Sequence, residues 1–220
     1  MADDDGGMTT QTKTLERHVA IDPAILYFGT PVVLVTSLNP DGSSNIMPMS
    51  SAFWLGHTGL LGIGARSQTA SNLQRNADCV LNLPSVDLVS EVDLLALTTG
   101  RADVPRAKAE RGYRHEPDKF GLAGLTALSS ETVSADSIAE CPVNLEARVV
   151  NAHPVADGIL LFEVDITRVH VHEGIRMKGT ANRIDPDRWR PLIMSFQHFY
   201  GLGERVHPSR LASIDEEFYR

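Results

Sequence analysis

Short apolar runs separated by turn-forming residues dominate this chain. The stretch 31–38, PVVLVTSL, is β-branched and free of charge, the pattern of a buried strand. Asn39, Pro40, Asp41 and Gly42 follow it, and the Asp-Gly pair offers the positive φ angles that a hairpin turn needs. Residues 44–51 resume in extended style, with Pro48 marking an edge or a bulge. The run 59–64, GLLGIG, reads as a third strand. Three strands joined by short turns predict an antiparallel meander or barrel.

The period then changes. Ala70, Leu73 and Ala77 fall at i, i+3 and i+7 behind Ser67, a good N-cap, so 67–76 is predicted as a short helix. CVLNL at 79–83 is the next strand, and 86–97 is a second amphipathic helix with Val89, Val92 and Leu95, or Leu88, Val92 and Leu95, on its buried stripe. Pro105 opens a third, more polar helix. From 142 onward strand signals return: Val143, Leu145, Ala147 and Val149 alternate with Asn144, Glu146, Arg148 and Val150. After a turn at 156–158, Leu160, Phe162, Val164 and Ile166 continue the alternation. The apolar parity then slips by one, to Val169 and Val171, which predicts a β-bulge near Thr167 and Arg168. The tail from Asp185 holds a helix-like stretch and a cluster of aromatic and polar residues. No internal repeat or low-complexity linker appears, so 15–220 is expected to be one domain behind a disordered lead-in, 1–14.

Composition narrows the class. The 220 residues are 42% hydrophobic and 22% charged, unlike a disordered, collagen-like or disulfide-scaffold protein. Twenty basic residues against 28 acidic ones give a formal charge of −8, which speaks against nucleic acid as the main partner. A small phosphorylated ligand needs only one local anion site and stays open. Asp3, Asp4 and Asp5 without an apolar stretch do not make a secretory signal. The longest uncharged segment, 42–65, is too rich in glycine and serine for a membrane helix. Cys79 and Cys141 lack metal-site spacing, and Cys79 reads as a buried free thiol. The expectation is a cytoplasmic protein with no membrane contact.

No glycine-rich dinucleotide fingerprint, Walker sequence, HExxH or GxSxG is present. His170 and His172 share a strand face, where solvent exposure is simpler than a metal site. ARSQTASNL at 65–73 is sharper. A helix start presents unpaired N–H groups and the positive end of its dipole, Arg66 adds a cation, and Ser67 and Thr69 add hydroxyls, so a phosphate could sit there. The same residues also read as an ordinary capped helix with a solvated arginine. NIMPMSSAFW at 45–54 sets small polar residues beside Phe53 and Trp54, which would let a flat ring approach the backbone or simply form an edge strand.

Taken in order, PVVLVTSLNPDGSSNIMPMSSAFW (31–54), ARSQTASNL (65–73), CVLNL (79–83), FGLAGLT (120–126), AECPVNLE (139–146) and VHVHE (169–173) resemble the flavin reductase-like family of FMN-binding split barrels. FQHFYGLG at 196–203 is similar to a C-terminal segment of some members. The resemblance implies a mainly β fold with added helices, a six-stranded antiparallel Greek-key FMN-binding split barrel, with helices between 85 and 115 and at the C-terminus. It implies that Met47, Pro48, Met49, Ser50, Ser51, Ala52 and Phe53 lie along the flavin ring and ribityl chain. Arg66, Ser67, Gln68, Thr69 and Asn72 match the phosphate segment, Asn82 matches an asparagine of the following strand, and His198 and Tyr200 are candidates for the ring's outer edge. Ser67 stands where many members have lysine and Gln68 where they have aspartate, so the phosphate loses a cation while Arg66 and the helix end remain; a weak-binding member would use FMN as an exchanging substrate, a tight-binding one as a prosthetic group. The implied activity is that of an NAD(P)H-dependent flavin reductase or related FMN oxidoreductase, passing hydride to flavin N5, in a homodimer and with a separate monooxygenase as a possible partner. The alternative is a non-catalytic FMN protein for electron transfer or sensing. A third reading, a haem-binding barrel, would use His153 or His198 as axial ligand.

Overall fold

The charge-free sequence at 33–38 forms the interior strand that its composition predicts, covered on both faces. The computed structural model describes residues 16–219, so the expected lead-in lies outside the described residues. The elements in chain order begin with β1 (Phe28–Pro31), β2 (Val33–Leu38), β3 (Ser44–Met49), β4 (Ala52–Leu55), β5 (Thr58–Gly64), α1 (Gln68–Arg75) and β6 (Asp78–Leu83). There follow α2 (Val89–Ala96), β7 (Thr98–Thr99), α3 (Arg106–Ala109), β8 (Arg114–His115), α4 (Lys119–Ala123), β9 (Ala127–Leu128) and β10 (Ser137–Ile138). The chain continues with β11 (Val143–Ala156), β12 (Ile159–Val171), β13 (Leu192–Ser195) and β14 (His198–Gly201). No described helix is long and apolar enough to cross a membrane.

The main sheet has seven strands in the order β3-β2-β6-β11-β12-β5-β4, every neighbouring pair antiparallel. Its two edges, β3 and β4, are consecutive in the chain and joined only by Ser50 and Ser51. The sheet therefore has to curl until its edges meet, and Ser51 O accepts a hydrogen bond from Gly62 N at 2.8 Å beside that junction. The interior of the curl holds Val33, Val35, Leu61, Leu81, Phe162 and Val164, all fully buried. This is the expected split barrel with one strand more than the expected six. The extended run at 44–51 stops at the serine pair and restarts as β4, which makes two strands of one. Glu146 pairs with Arg168 and Ala147 with Ile166, so Thr167 is the extra residue of a bulge, as the parity slip predicts.

Two segments depart from expectation. The run at 31–38 is broken: β1 ends at Pro31, leaves the barrel and pairs with β13. The tail forms no helix there. Residues 192–201 fold as the β13–β14 hairpin, because Leu192, Met194 and Phe199 pack with Val32, Leu34 and Ile46 on the outer side of the barrel. Val92 and Leu95 of α2 and Ala123 of α4 complete that second cluster. Further on, 210–213 and 216–219 are single 3₁₀ turns.

Glu146, fully buried on β11, fastens the segment that carries β10 to the sheet. Its carboxylate accepts from Glu131 N at 2.8 Å, from Thr132 N and Thr132 Oγ1 at 2.6 Å each, and lies 2.7 Å from His170 Nε2. Burial pushes the carboxyl pKa up, but the bonds from Thr132, Glu131 and His170 outweigh it and hold the group down at about 2. The stability it contributes is complete above the unfolded-state value near 4.5 and is lost as pH falls toward 2. Glu146→Gln should cost roughly 2–4 kcal/mol at neutral pH, since bonded backbone donors lose a charged acceptor. Urea titrations from pH 7 to pH 2.5 should show the gap between variant and wild type narrowing; a gap constant with pH would overturn the account.

Ser195 faces His198 across a two-residue turn in which Phe196 has φ 45° and Gln197 φ 67°. Both are left-handed, the geometry of a type I′ turn, without the Asn-Gly pair that normally occupies it. Left-handed conformation costs a non-glycine residue about 1–2 kcal/mol, and glycine returns roughly half of the relief as unfolded-state entropy. Gln197→Gly should therefore raise the melting temperature by roughly 1–3 °C and Gln197→Val lower it, read by scanning calorimetry. The reverse order would remove the strain assignment.

Candidate functional site

The junction of β5 and α1 forms as the sequence predicts. Ser67 stands in extended backbone at φ −77° and ψ 157°, and its Oγ accepts from Ala70 N at 3.0 Å, so the hydroxyl is engaged in capping. The first turn of α1 contains no acidic residue. Above it lies a small cavity of about 180 Å³, whose walls include Asn45, Ser67, Gln68, Thr69, Gly100, Lys108 and Lys119 and no carboxylate.

The polar groups around this cavity are tied down on one side and open on the other. Asn45, 3% exposed, donates from Nδ2 to Thr69 Oγ1 at 2.9 Å, while its Oδ1 is buried without a partner. A buried acceptor of that kind costs about 1–3 kcal/mol unless something satisfies it. Gly100 leaves the space beside it: a Cβ there would come 2.4 Å from Asn45 Oδ1 and 3.0 Å from Gln68 Cγ. Lys119, also 3% exposed, donates from Nζ to Ile46 O at 2.6 Å. Among the described residues no carboxylate lies within ion-pair distance of that ammonium. Burial, helped by the charge of Lys108 and opposed by Glu116, lowers its pKa to about 8.

A second cavity of about 510 Å³ shares Pro48, Ala96 and Tyr113 with the first. Its walls are largely apolar: Val32, Met49, Val92, Leu97, Met194 and Phe199, with Tyr27, Ser50, Ser51, Asp93 and Gln197 around them. One wall is thus the chain leaving β3, the other is α2 with the β13–β14 hairpin. An apolar slot ending in a positive, carboxylate-free pocket suits a flat ring that carries a phosphate on a polar tether. A separate cavity of about 430 Å³ near His57, Val169, Arg176 and Arg183 collects none of the predicted residues.

Met47, Pro48, Met49, Ser50, Ser51, Ser67, Gln68 and Thr69 all line this cleft. The other predicted residues lie elsewhere. Ala52 points into the barrel core, and Phe53 is half exposed on the outside of β4. Arg66 is exposed, lines neither cavity, and forms no hydrogen bond or ion pair among the described residues. Asn72 is buried and donates to Ser37 Oγ at 3.1 Å and Asn39 Oδ1 at 3.0 Å, tying α1 to the β2–β3 turn. Asn82 donates to Leu34 O and accepts from Ile138 N and Asn144 Nδ2, which fastens β6 to β2, β10 and β11. His198 and Tyr200 are exposed on β14, whereas Phe199 between them faces the slot. His153 is exposed on β11, outside the cleft.

Lys108, Tyr113 and Lys119 belong to no motif that the sequence offered, and Asn45, Gln197 and Phe199 lie inside the stretches 45–54 and 196–203 without being named as site residues. For Phe199 the signal was available, because strand alternation puts it opposite His198 and Tyr200. Lys119 gave none: a lysine between Asp118 and Phe120 reads as a solvated surface residue.

A scan against protein families matches residues 25–203 to the flavin reductase like domain. Among curated proteins, the uncharacterised protein YdfE of Bacillus subtilis (strain 168) is 37% identical over 201 residues, covering 90% of this chain and 96% of that protein. Among solved structures, flavoredoxin of Desulfovibrio vulgaris (Miyazaki F) superposes with a TM-score of 0.74 at 20% identity, covering 90% of this chain and 99% of the other. Nitrilotriacetate monooxygenase component B from Bacillus cereus gives 0.70 at 21% identity, covering 88% and 100%.

Proposed function

The chain belongs to the flavin reductase-like family, and on that premise we propose that it binds FMN in the cleft and acts as an NAD(P)H-dependent flavin reductase. The observation that carries this reading is the union of an apolar slot with a positive, carboxylate-free end. The residues present fit the ligand: Asn45 Oδ1 lacks a partner, and Gly100 keeps open the space beside it. The confined volume of the positive end, about 180 Å³, favours a terminal phosphate, hence FMN over a longer dinucleotide.

When bound, the flavin supplies the redox chemistry, accepting hydride at N5 from a nicotinamide. The protein supplies position and electrostatics. Ser50 and Ser51 lie between β3 and β4, and backbone N–H groups over 49–52 are the donors for the ring edge that gains charge on reduction; Pro48 has none. Met49, Val92 and Phe199 keep water from the ring, and no side-chain acid or base is required. The nicotinamide would stack on the open face of the ring, since the chain lacks a dinucleotide fingerprint.

A second copy of the chain and a separate monooxygenase that uses the reduced flavin complete the proposal. Edge strand β4 exposes Phe53 at 51% and Leu55 at 64%, an apolar strip suited to a homodimer. Light scattering should return twice the chain mass, and a single-chain mass would remove the dimer.

For the activity, the protein should be titrated with FMN and then, without oxygen, with NADH and NADPH. The visible flavin band should shift on binding and bleach at a catalytic rate with one of the donors. A shifted band that neither donor bleaches would turn the reading to a non-catalytic FMN carrier.

A further inference from the structure

We propose that the cations for the flavin phosphate are Lys119 and Lys108, supplied by α4 and α3, and that Arg66 beside the α1 N-terminus does not serve. This assignment rests on the FMN reading of the cleft. At the α1 start the Ser67 hydroxyl is already engaged with Ala70 N. Arg66 points into solvent, where its charge is screened.

The two lysines arrive from elsewhere. Lys119, first residue of α4, is 3% exposed, lines the small cavity, and has one hydrogen bond, to Ile46 O. The nearest acids in sequence form no ion pair with it: Asp118 Oδ1 accepts from Gly121 N, and Glu116, whose charge still reaches Lys119, accepts from Asp118 N at Oε1. An ammonium buried with a single acceptor is costly until an anion joins it. Lys108, on α3, lies 5.2 Å from the Tyr113 ring centroid, and both line the same cavity. Its position over the ring holds the second cation at the mouth while Lys119 sits at the back. The α1 N-terminus and Thr69 provide donors on the remaining side.

The unpartnered Asn45 Oδ1 refines the ligand class. A carbonyl oxygen repels a phosphate oxygen and needs a donor, so the ligand must carry a hydroxyl close to its anion. A polyol phosphate, such as the ribityl phosphate of FMN, has that combination, with hydroxyls on the same carbon chain that carries the phosphate.

The test measures FMN and riboflavin dissociation constants by fluorescence quenching at fixed ionic strength, for wild type, Lys119→Met, Lys108→Ala and Arg66→Ala. Lys119→Met should weaken FMN about ten- to a hundredfold, the range of a charge-assisted bond, with riboflavin within about threefold. Lys108→Ala, at a half-buried site that tolerates truncation, should weaken FMN alone by roughly fivefold and decides the matter if Lys119→Met does not fold. Arg66→Ala should leave both ligands unchanged. Equal losses of FMN and riboflavin in the lysine variants, or a selective FMN loss in Arg66→Ala, would overturn the assignment. A wild-type protein that binds neither flavin would overturn the FMN reading itself, and this assignment with it.

Discussion

The fold depends on one constraint of chain continuity. The edge strands of the seven-stranded sheet, β3 and β4, are separated by two residues, so the sheet closes on itself through Ser50 and Ser51 and not through a backbone ladder. A closed ladder would bury those amides in strand pairing. An opening spanned by a short link leaves backbone at the rim of the barrel, next to side chains from the outer layer. That is where the cleft lies, with Pro48, Met49, Ser50 and Ser51 as one wall. Closure and site are therefore two aspects of the same joint.

The opposite wall follows from how β2 is covered. Its inner face meets the barrel core, and its outer face meets α2, α4 and the β13–β14 hairpin. The outer layer does not seal over β3, and the gap between the two is the slot. Buried polar groups hold the layers in register: Asn82 joins β2, β10 and β11, and Asn72 joins α1 to the β2–β3 turn. Asn82 resembles a ligand contact in sequence because an amide in an apolar run serves either role. Only the partners tell them apart.

The barrel was legible because its signals are local. Parity in 143–150 and 160–171 marked the long hairpin, and its slip located the bulge at Thr167. Asp-Gly marked the β2–β3 turn, and Ser67 marked the start of α1. The half of the cleft built from consecutive residues, 47–51 and 67–69, was legible for the same reason. The hairpin at 192–201 was not, since it is a strand pair only by virtue of what Leu192 and Phe199 pack against. Lys108 and Lys119 reach Asn45 through tertiary contacts alone, and the neighbours of the two lysines in sequence say nothing about a shared pocket.

Net charge and local charge are independent here. The chain carries −8 overall, yet the α1 end of the cleft gathers two lysines and a helix N-terminus with no carboxylate in its walls. Acidic residues elsewhere cannot neutralise that end, because their fields are screened over a Debye length of about 8 Å in physiological salt, whereas Lys119 is sealed from solvent. Burying the ammonium works against the stability of the empty fold. Its bond to Ile46 O offsets only part of that cost. The start of α1 places no side-chain cation in the walls of that cavity, while α3 and α4 bring Lys108 and Lys119 to it.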